Sequence, residues 1–173
     1  MAGSPTIASL FAQRIVVGVA DFAVANQAQM IISTYALGSC IGLVAYDSSV
    51  QVGGLLHLML PESSLSPEKA GTQPAMFADT GIPLLFNALA GMRAQRSRTQ
   101  IYIAGGASVL SGPDSFKIGE RNIIAVKKML AVYGCRVAGA EVAGTVNRTL
   151  HLEVGTGQLS IKLPDRTLTI SLA

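Results

Sequence analysis

Cys40 closes the stretch Leu37-Gly38-Ser39-Cys40, where a glycine-containing turn leads into the apolar run from Ile41 to Tyr46. A thiol at the mouth of a strand is a candidate nucleophile. A free cysteine, with a pKa near 8.5, is only a few per cent thiolate at neutral pH, so nucleophilic work requires a neighbouring base or a positive local field. His57 is the candidate base. It interrupts Gly53-Gly54-Leu55-Leu56-His57-Leu58-Met59-Leu60, where an imidazole without a polar partner would be expensive to bury.

If Ile41 to Tyr46 and Val52 to Leu60 form a hairpin through Asp47-Ser48-Ser49, the end that holds Cys40 lies near the end that holds His57. Either residue taken singly is more often structural than catalytic; the pair is what points to cysteine-dependent hydrolysis. Such sites usually carry a third group that orients the imidazole. No Asp or Asn stands out, which leaves Thr34 on the preceding strand, a hydroxyl that would orient more weakly than a carboxylate.

The remaining chemistry-bearing residues point elsewhere. The second cysteine, Cys135, follows Gly134 and is expected to begin a buried strand; His151 alternates with Leu150 and Leu152 and is expected to face solvent. Two cysteines and no Cys/His cluster at ligand spacing argue against a disulfide framework and a zinc site, and favour a reducing, cytoplasmic compartment. Gly105-Gly106 is followed by no Lys-Ser or Lys-Thr and lacks the third glycine of a dinucleotide fingerprint, so nucleotide binding is rejected. No metal or cofactor is expected.

The formal charge of +3 comes from scattered residues such as Arg93, Arg96, Arg98, Lys127 and Lys128, without a basic run or interleaved aromatics, which gives little support for nucleic-acid binding. No positive charge precedes an early apolar segment and no apolar run nears the roughly 18 residues that span a bilayer. A soluble, unprocessed protein without membrane insertion is expected. With half its 173 residues hydrophobic and only 13% charged, against about 25% in average soluble domains, the chain can bury one sizeable core.

The elements that must position Cys40 and His57 follow from pattern. Residues 1–13 carry Gly3, Ser4 and Pro5 and no period, and are expected to be a flexible arm before a single domain over 14–173. Strands are predicted at Ile15 to Ala20, Met30 to Tyr35, Ile41 to Tyr46 and Val52 to Leu60, several buried on both faces. Residues 61–74, rich in Pro, Ser and Gly, are predicted to be an exposed loop directly after the His57 strand, a candidate lid or docking loop. Met76 to Gln95 reads as a helix despite Pro83. Ile101 to Ala104 is a short strand, followed by the turn Gly105-Gly106-Ala107-Ser108 and a mobile stretch over Ser111 to Ser115. Glu120 to Tyr133 places Ile123, Val126, Leu130 and Tyr133 on one helical face, with Gly134 ending it in the left-handed conformation. Arg136 to Val142, Thr149 to Val154, Gln158 to Leu163 and Thr167 to Leu172 are predicted to form a strand meander. Strands, helix, strand, helix, strands is not the regular alternation of a doubly wound sheet, so an α+β class follows.

Thr34, then Leu37-Gly38-Ser39-Cys40, then Gly53-Gly54-Leu55-Leu56-His57-Leu58-Met59-Leu60-Pro61, with seventeen residues from Cys40 to His57, resembles the signature of the chemoreceptor glutamine deamidases of the CheD family. The resemblance continues through Tyr102-Ile103-Ala104-Gly105-Gly106-Ala107-Ser108 and Ile118-Gly119-Glu120-Arg121-Asn122 to Asn147-Arg148 and Thr156-Gly157. It implies a catalytic triad of Cys40, His57 and Thr34. It also implies two packed mixed sheets flanked by helices, similar to the deamidating bacterial toxins.

The activity implied is hydrolysis of a glutamine side-chain amide on a chemoreceptor's cytoplasmic helices, through a thioester, with release of ammonia and no cofactor. The phosphatase CheC is the second partner implied. Oxyanion donors are sought in the Cys40 backbone N–H, with Gly38, Ser39, Gly105, Gly106 and Ser108 as neighbouring candidates. Near the C-terminus, Gly144-Thr145-Val146-Asn147-Arg148 departs from the family's glycine-richer pattern and leaves a substrate role for Arg148 unsupported. Two further readings use the same residues: receptor methylesterase chemistry at the same thiol, and a binding module that docks on receptors or CheC with weak catalysis.

Overall fold

The computed structural model describes residues 12–109 and 116–173; the expected arm up to residue 11 and the stretch from Ser111 to Ser115 lie outside them. The described residues form two five-stranded sheets. The first joins β1 (Gln13–Val16), β3 (Met30–Leu37), β8 (Arg148–Glu153), β9 (Gln158–Lys162) and β10 (Thr167–Ser171) in the order β1-β3-β8-β9-β10. The second joins β2 (Asp21–Ala25), β4 (Ile41–Asp47), β5 (Val52–Leu58), β6 (Gln100–Gly105) and β7 (Arg136–Val142) in the order β2-β5-β4-β6-β7. Each is mixed, with β1 parallel to β3 and β6 parallel to β7. The class is α+β, as the element order implied.

Three layers result. Helices α2 (Ala78–Gly91) and α3 (Ile118–Val132) lie on one face of the second sheet, and the first sheet covers the other. Strands β4 and β5 are therefore buried along their whole length, which is why their sequences read as continuous apolar runs rather than alternating ones. Alternation decides which layer each residue meets. Ile41, Leu43, Leu56 and Leu58 join Ile82, Leu85, Val126 and Leu130 on the helix side, whereas Val44, Tyr46 and Leu55 join Ile32, Leu37, Leu150 and Leu152 between the sheets. Gly42 lies on that second face, where a Cβ would stand 2.6 Å from Leu150 Cδ1 and 2.8 Å from Leu37 Cδ1. The absent side chain lets the two sheets close directly beside the strand mouth.

The hairpin predicted between β4 and β5 is present, with Asp47 opposite Val52. Its turn is held by Asp47, a fully buried carboxylate that accepts from the amides of Gln95 and Ser49 and pairs with Arg98 at 2.9 Å. Several elements differ from expectation. The predicted strand over 15–20 ends at Val16, and a separate strand, β2, begins at Asp21. That strand is short, half-exposed and flanked by polar residues, so it carries little pattern.

The last four strands are not one meander. Strand β7 runs parallel to β6 in the second sheet, and only β8, β9 and β10 form an antiparallel meander in the first. Across and just beyond 61–74 the chain forms two short 3-10 turns, Ser63–Leu65 and Pro74–Met76, and helix α1 (Pro67–Thr72). Its ends are closed by a bridge between Leu60 and Phe77, and Ser63 is tied to Asp79 through its amide and hydroxyl. Pro83 stands in the second turn of α2, and α3 ends as predicted, with Gly134 at φ +62°.

Candidate active site

The register of β4 against β5 places Gly42 opposite His57. Cys40, two residues before Gly42, shares its face, so the thiol and the imidazole are diagonal neighbours across the pair, about 7 Å apart between backbones, with no hydrogen bond between the thiol and Nε2. Both face the first sheet, whose strand β3 contributes Thr34 from the opposite wall. The three residues named from the sequence are thus gathered in the gap between the sheets, at the open end of the hairpin.

His57 is 1% exposed and Thr34 is fully buried. Thr34 Oγ1 donates its single proton to the carbonyl oxygen of Val17 at 2.7 Å and lies 2.7 Å from His57 Nδ1. A hydroxyl has one proton to give, so at the second contact it must accept. Nδ1 therefore carries the imidazole proton, and Nε2 holds a free lone pair. That nitrogen is buried with no hydrogen-bond partner among the described residues. Its lone pair can accept a proton. Burial pushes the His57 pKa down from 6.5 to about 4, so the ring is neutral at physiological pH.

Cys40 is half-buried at the edge of this gap. Burial pushes its thiol up from the ordinary cysteine range, while its own backbone amide acts in the opposite sense. The resting pair is accordingly thiol and neutral imidazole rather than a preformed ion pair.

The backbone that carries Cys40 is gripped from one side. Ala107 N–H donates to the Gly38 carbonyl at 2.8 Å, and Gly106 N–H to the Cys40 carbonyl at 2.9 Å. Gly105 has φ +113°, and a Cβ there would collide with the Cys40 carbonyl oxygen; only glycine fits. The amide of Ser108 donates to Gly144. The turn from Gly105 to Ser108 thus spends its Gly106, Ala107 and Ser108 amides on holding backbone, which takes them out of contention as oxyanion donors in this conformation. Gly38 and Ser39 remain beside Cys40.

Arg148, 3% exposed, donates to the carboxylate of Glu141 and the carbonyls of Ala143 and Val146, so it secures the turn between β7 and β8. His151 lies on the outer face of the first sheet, half-buried rather than open to solvent: Ser33 Oγ and Arg14 each stand 2.8 Å from its Nδ1, and Tyr35 packs against it edge-on. Cys135 is half-buried just before β7. Among the described residues no group of three His, Cys, Asp or Glu side chains could hold a metal ion, and no helix is long and apolar enough to cross a membrane.

Sequence reading did not single out Asn122. It is fully buried on α3, and its Nδ2 donates to the carbonyls of Ser39 and Met59, both at 2.9 Å. The signal was available: Asn122 falls four residues before Val126 and eight before Leu130, a polar residue on the buried stripe of the helix.

The model of the CheD chemotactic sensory transduction family matches residues 59–163. The chain is 47% identical over 148 residues to the probable chemoreceptor glutamine deamidase CheD 1 of Syntrophus aciditrophicus, covering 86% of this chain and 92% of that one. It is 46% identical over 147 residues to the protein of the same description, CheD, from Solibacter usitatus, covering 85% and 87%. A counterpart from Pyrococcus abyssi is 37% identical over 152 residues, covering 87% and 91%. A solved Neisseria meningitidis protein of the DUF152 family is a distant likeness, with a TM-score of 0.40 and 12% identity over 72% of this chain and 52% of that one. Two mixed sheets with helices on one side, closed around a thiol and an imidazole, define the class of site; the chain belongs to the CheD family.

Proposed function

We propose that this protein deamidates glutamine side chains on the cytoplasmic helices of chemoreceptors, with Cys40 as nucleophile, His57 as base and Thr34 as the residue that orients the imidazole. The observation that carries the reading is the Thr34 contact. It fixes the proton on His57 Nδ1 and leaves Nε2 bare, buried and on the face shared with Cys40. The relatives' description as glutamine deamidases supplies the substrate class.

The reaction would begin as Sγ attacks the carboxamide carbon while its proton passes to Nε2. A neutral thiol and a neutral imidazole in a desolvated gap make separate ionisation unfavourable, so proton transfer and attack proceed together. The imidazolium is then never without a neighbouring negative charge. Collapse of the tetrahedral intermediate breaks the C–N bond, and Nε2 returns the proton to the departing nitrogen, which leaves as ammonia. Water attacks the thioester with Nε2 again taking the proton; the C–S bond breaks, glutamate is released and the thiol is restored. The half-buried position of Cys40 suits a substrate presented on a helix surface, since the receptor itself would cover the mouth and exclude water. CheC is proposed as a regulatory partner and the cytoplasm as the compartment.

The test is an acid-quenched reaction of the protein with a glutamine-bearing receptor fragment, followed by intact-mass and peptide mapping. A fragment adduct on Cys40, absent from Cys40→Ala, is expected. Deamidation that persists in Cys40→Ala would reject the assignment.

A further inference from the structure

Three successive carbonyls around Cys40 are pinned: Gly38 by Ala107 N–H, Ser39 by Asn122 Nδ2, and Cys40 by Gly106 N–H. The middle one is held by a side chain, and the same Nδ2 also holds the carbonyl of Met59, two residues beyond His57. From these contacts we infer that Asn122 is a positioning residue for catalysis, which orients the Ser39–Cys40 peptide so that the Cys40 N–H serves as an oxyanion donor and fixes that peptide against the His57 strand.

In a trans peptide the C=O and the following N–H point in opposite directions. With the Ser39 carbonyl fixed toward α3, the Cys40 N–H must point away from the helix, and it stands close to the thiol of the same residue. Attack by Sγ places the developing oxyanion beside that amide, where a preorganised donor contributes most. The Gly106, Ala107 and Ser108 amides are already committed to backbone carbonyls, which leaves the Gly38, Ser39 and Cys40 amides, and of these the Cys40 amide belongs to the peptide that Asn122 holds.

Asn122 also ties the two catalytic segments to each other, because one nitrogen bonds a carbonyl on each. Its remaining polar atom, Oδ1, is buried with no partner among the described residues. Gly119, three residues earlier on α3, has no room for a Cβ against the carbonyls of Gly106 (2.6 Å) and Ala107 (2.8 Å). The start of the helix is therefore seated directly on the turn that grips Cys40.

This inference rests on the deamidase reading for its kinetic arm but carries a structural arm of its own. Asn122→Leu keeps the side-chain volume and removes the donor, and Asn122→Ala guards against a misfit of the leucine. In whichever variant unfolds cooperatively like the wild type, kcat for receptor-fragment deamidation should fall about a hundredfold, the effect of losing one oxyanion donor, with KM within threefold. The rate of Cys40 alkylation by iodoacetamide, which needs no oxyanion donor, should stay within threefold. With cysteine-selective 15N labelling the chain shows two amide resonances, from Cys40 and Cys135. The Cys40 resonance should shift and that of Cys135, whose amide donates to Leu130, should not. A kcat within threefold of wild type, alkylation that falls in parallel with kcat, or an unmoved Cys40 resonance would overturn the assignment. If the wild type itself deamidates no receptor fragment, the substrate reading fails, and the Cys40 resonance alone decides whether Asn122 sets the peptide.

Discussion

Acidification should destabilise this protein through His57, by an amount that follows from its burial. In the folded chain the imidazole takes a proton only near pH 4, whereas in the unfolded chain it does so near 6.5. Between those values the unfolded state binds more protons, so the stability that a neutral His57 contributes is complete above about pH 6.5 and is lost as the pH falls through about 4. A tenfold change in proton affinity corresponds to about 1.4 kcal/mol, and the drop from 6.5 to about 4 therefore amounts to about 3 kcal/mol. The comparison is between wild type and His57→Asn, which keeps an amide donor for Thr34 and does not titrate. Urea unfolding of both at pH 7.5 and pH 4 gives four free energies. The variant starts less stable at both, because a ring is lost from a filled gap, but the wild type should lose about 3 kcal/mol more than the variant on acidification. His151, also pushed down by burial, Arg14 and Lys162, titrates in both proteins and cancels. Equal acid sensitivity within about 0.5 kcal/mol would refute the picture of a buried, neutral and unpartnered Nε2.

Other outcomes follow from the same contacts. Thr34→Val, nearly the same shape but without the hydroxyl, should lower kcat by about ten- to a hundredfold, because it frees the tautomer and leaves Nδ1–H without an acceptor; Thr34→Ser should recover most of it, and steady-state kinetics on a receptor fragment would show both. Alkylation of Cys40 in the free protein should rise with pH through a midpoint above that of an unperturbed cysteine, since burial raises the thiol; a midpoint below that of an unperturbed cysteine would mean a resting ion pair instead. Asp47→Ala should cost about 3 kcal/mol in chemical unfolding, because it strands the Gln95 and Ser49 amides and the Arg98 guanidinium. Gly105→Ala should abolish deamidation, as the new Cβ displaces the Cys40 carbonyl; full activity in that variant would contradict the grip described for the nucleophile loop.

Much of the site was legible because its residues break local patterns. Cys40 sits at a turn-to-strand junction and His57 is the one polar side chain in a long apolar run, so both stand out against neighbours whose burial is obvious. The hairpin that joins them follows from two apolar runs around Asp47-Ser48-Ser49. Thr34 could be proposed only by elimination and resemblance, because its role depends on β3 of one sheet facing β5 of the other, and strand periodicity carries no information on how sheets stack. The same limit hid the sheet membership of β7: Arg136–Val142 reads as one more strand of a meander, yet it follows α3 and returns parallel to β6, a crossover that only the tertiary arrangement defines. Strand β2 was missed because its half-exposed residues satisfy neither an alternating nor a continuous pattern. Asn122 was overlooked for the opposite reason. It lies within a strong helix, and the apolar stripe drew the reading past the single polar residue on it.

The most direct test of the account is ammonia release and intact-mass change when a glutamine-bearing receptor cytoplasmic fragment is incubated with wild type, Cys40→Ala and His57→Ala. Conversion of glutamine to glutamate by the wild type alone is the predicted result. A wild type that binds the fragment and releases no ammonia, or a Cys40→Ala protein that deamidates it as fast as wild type, would contradict it.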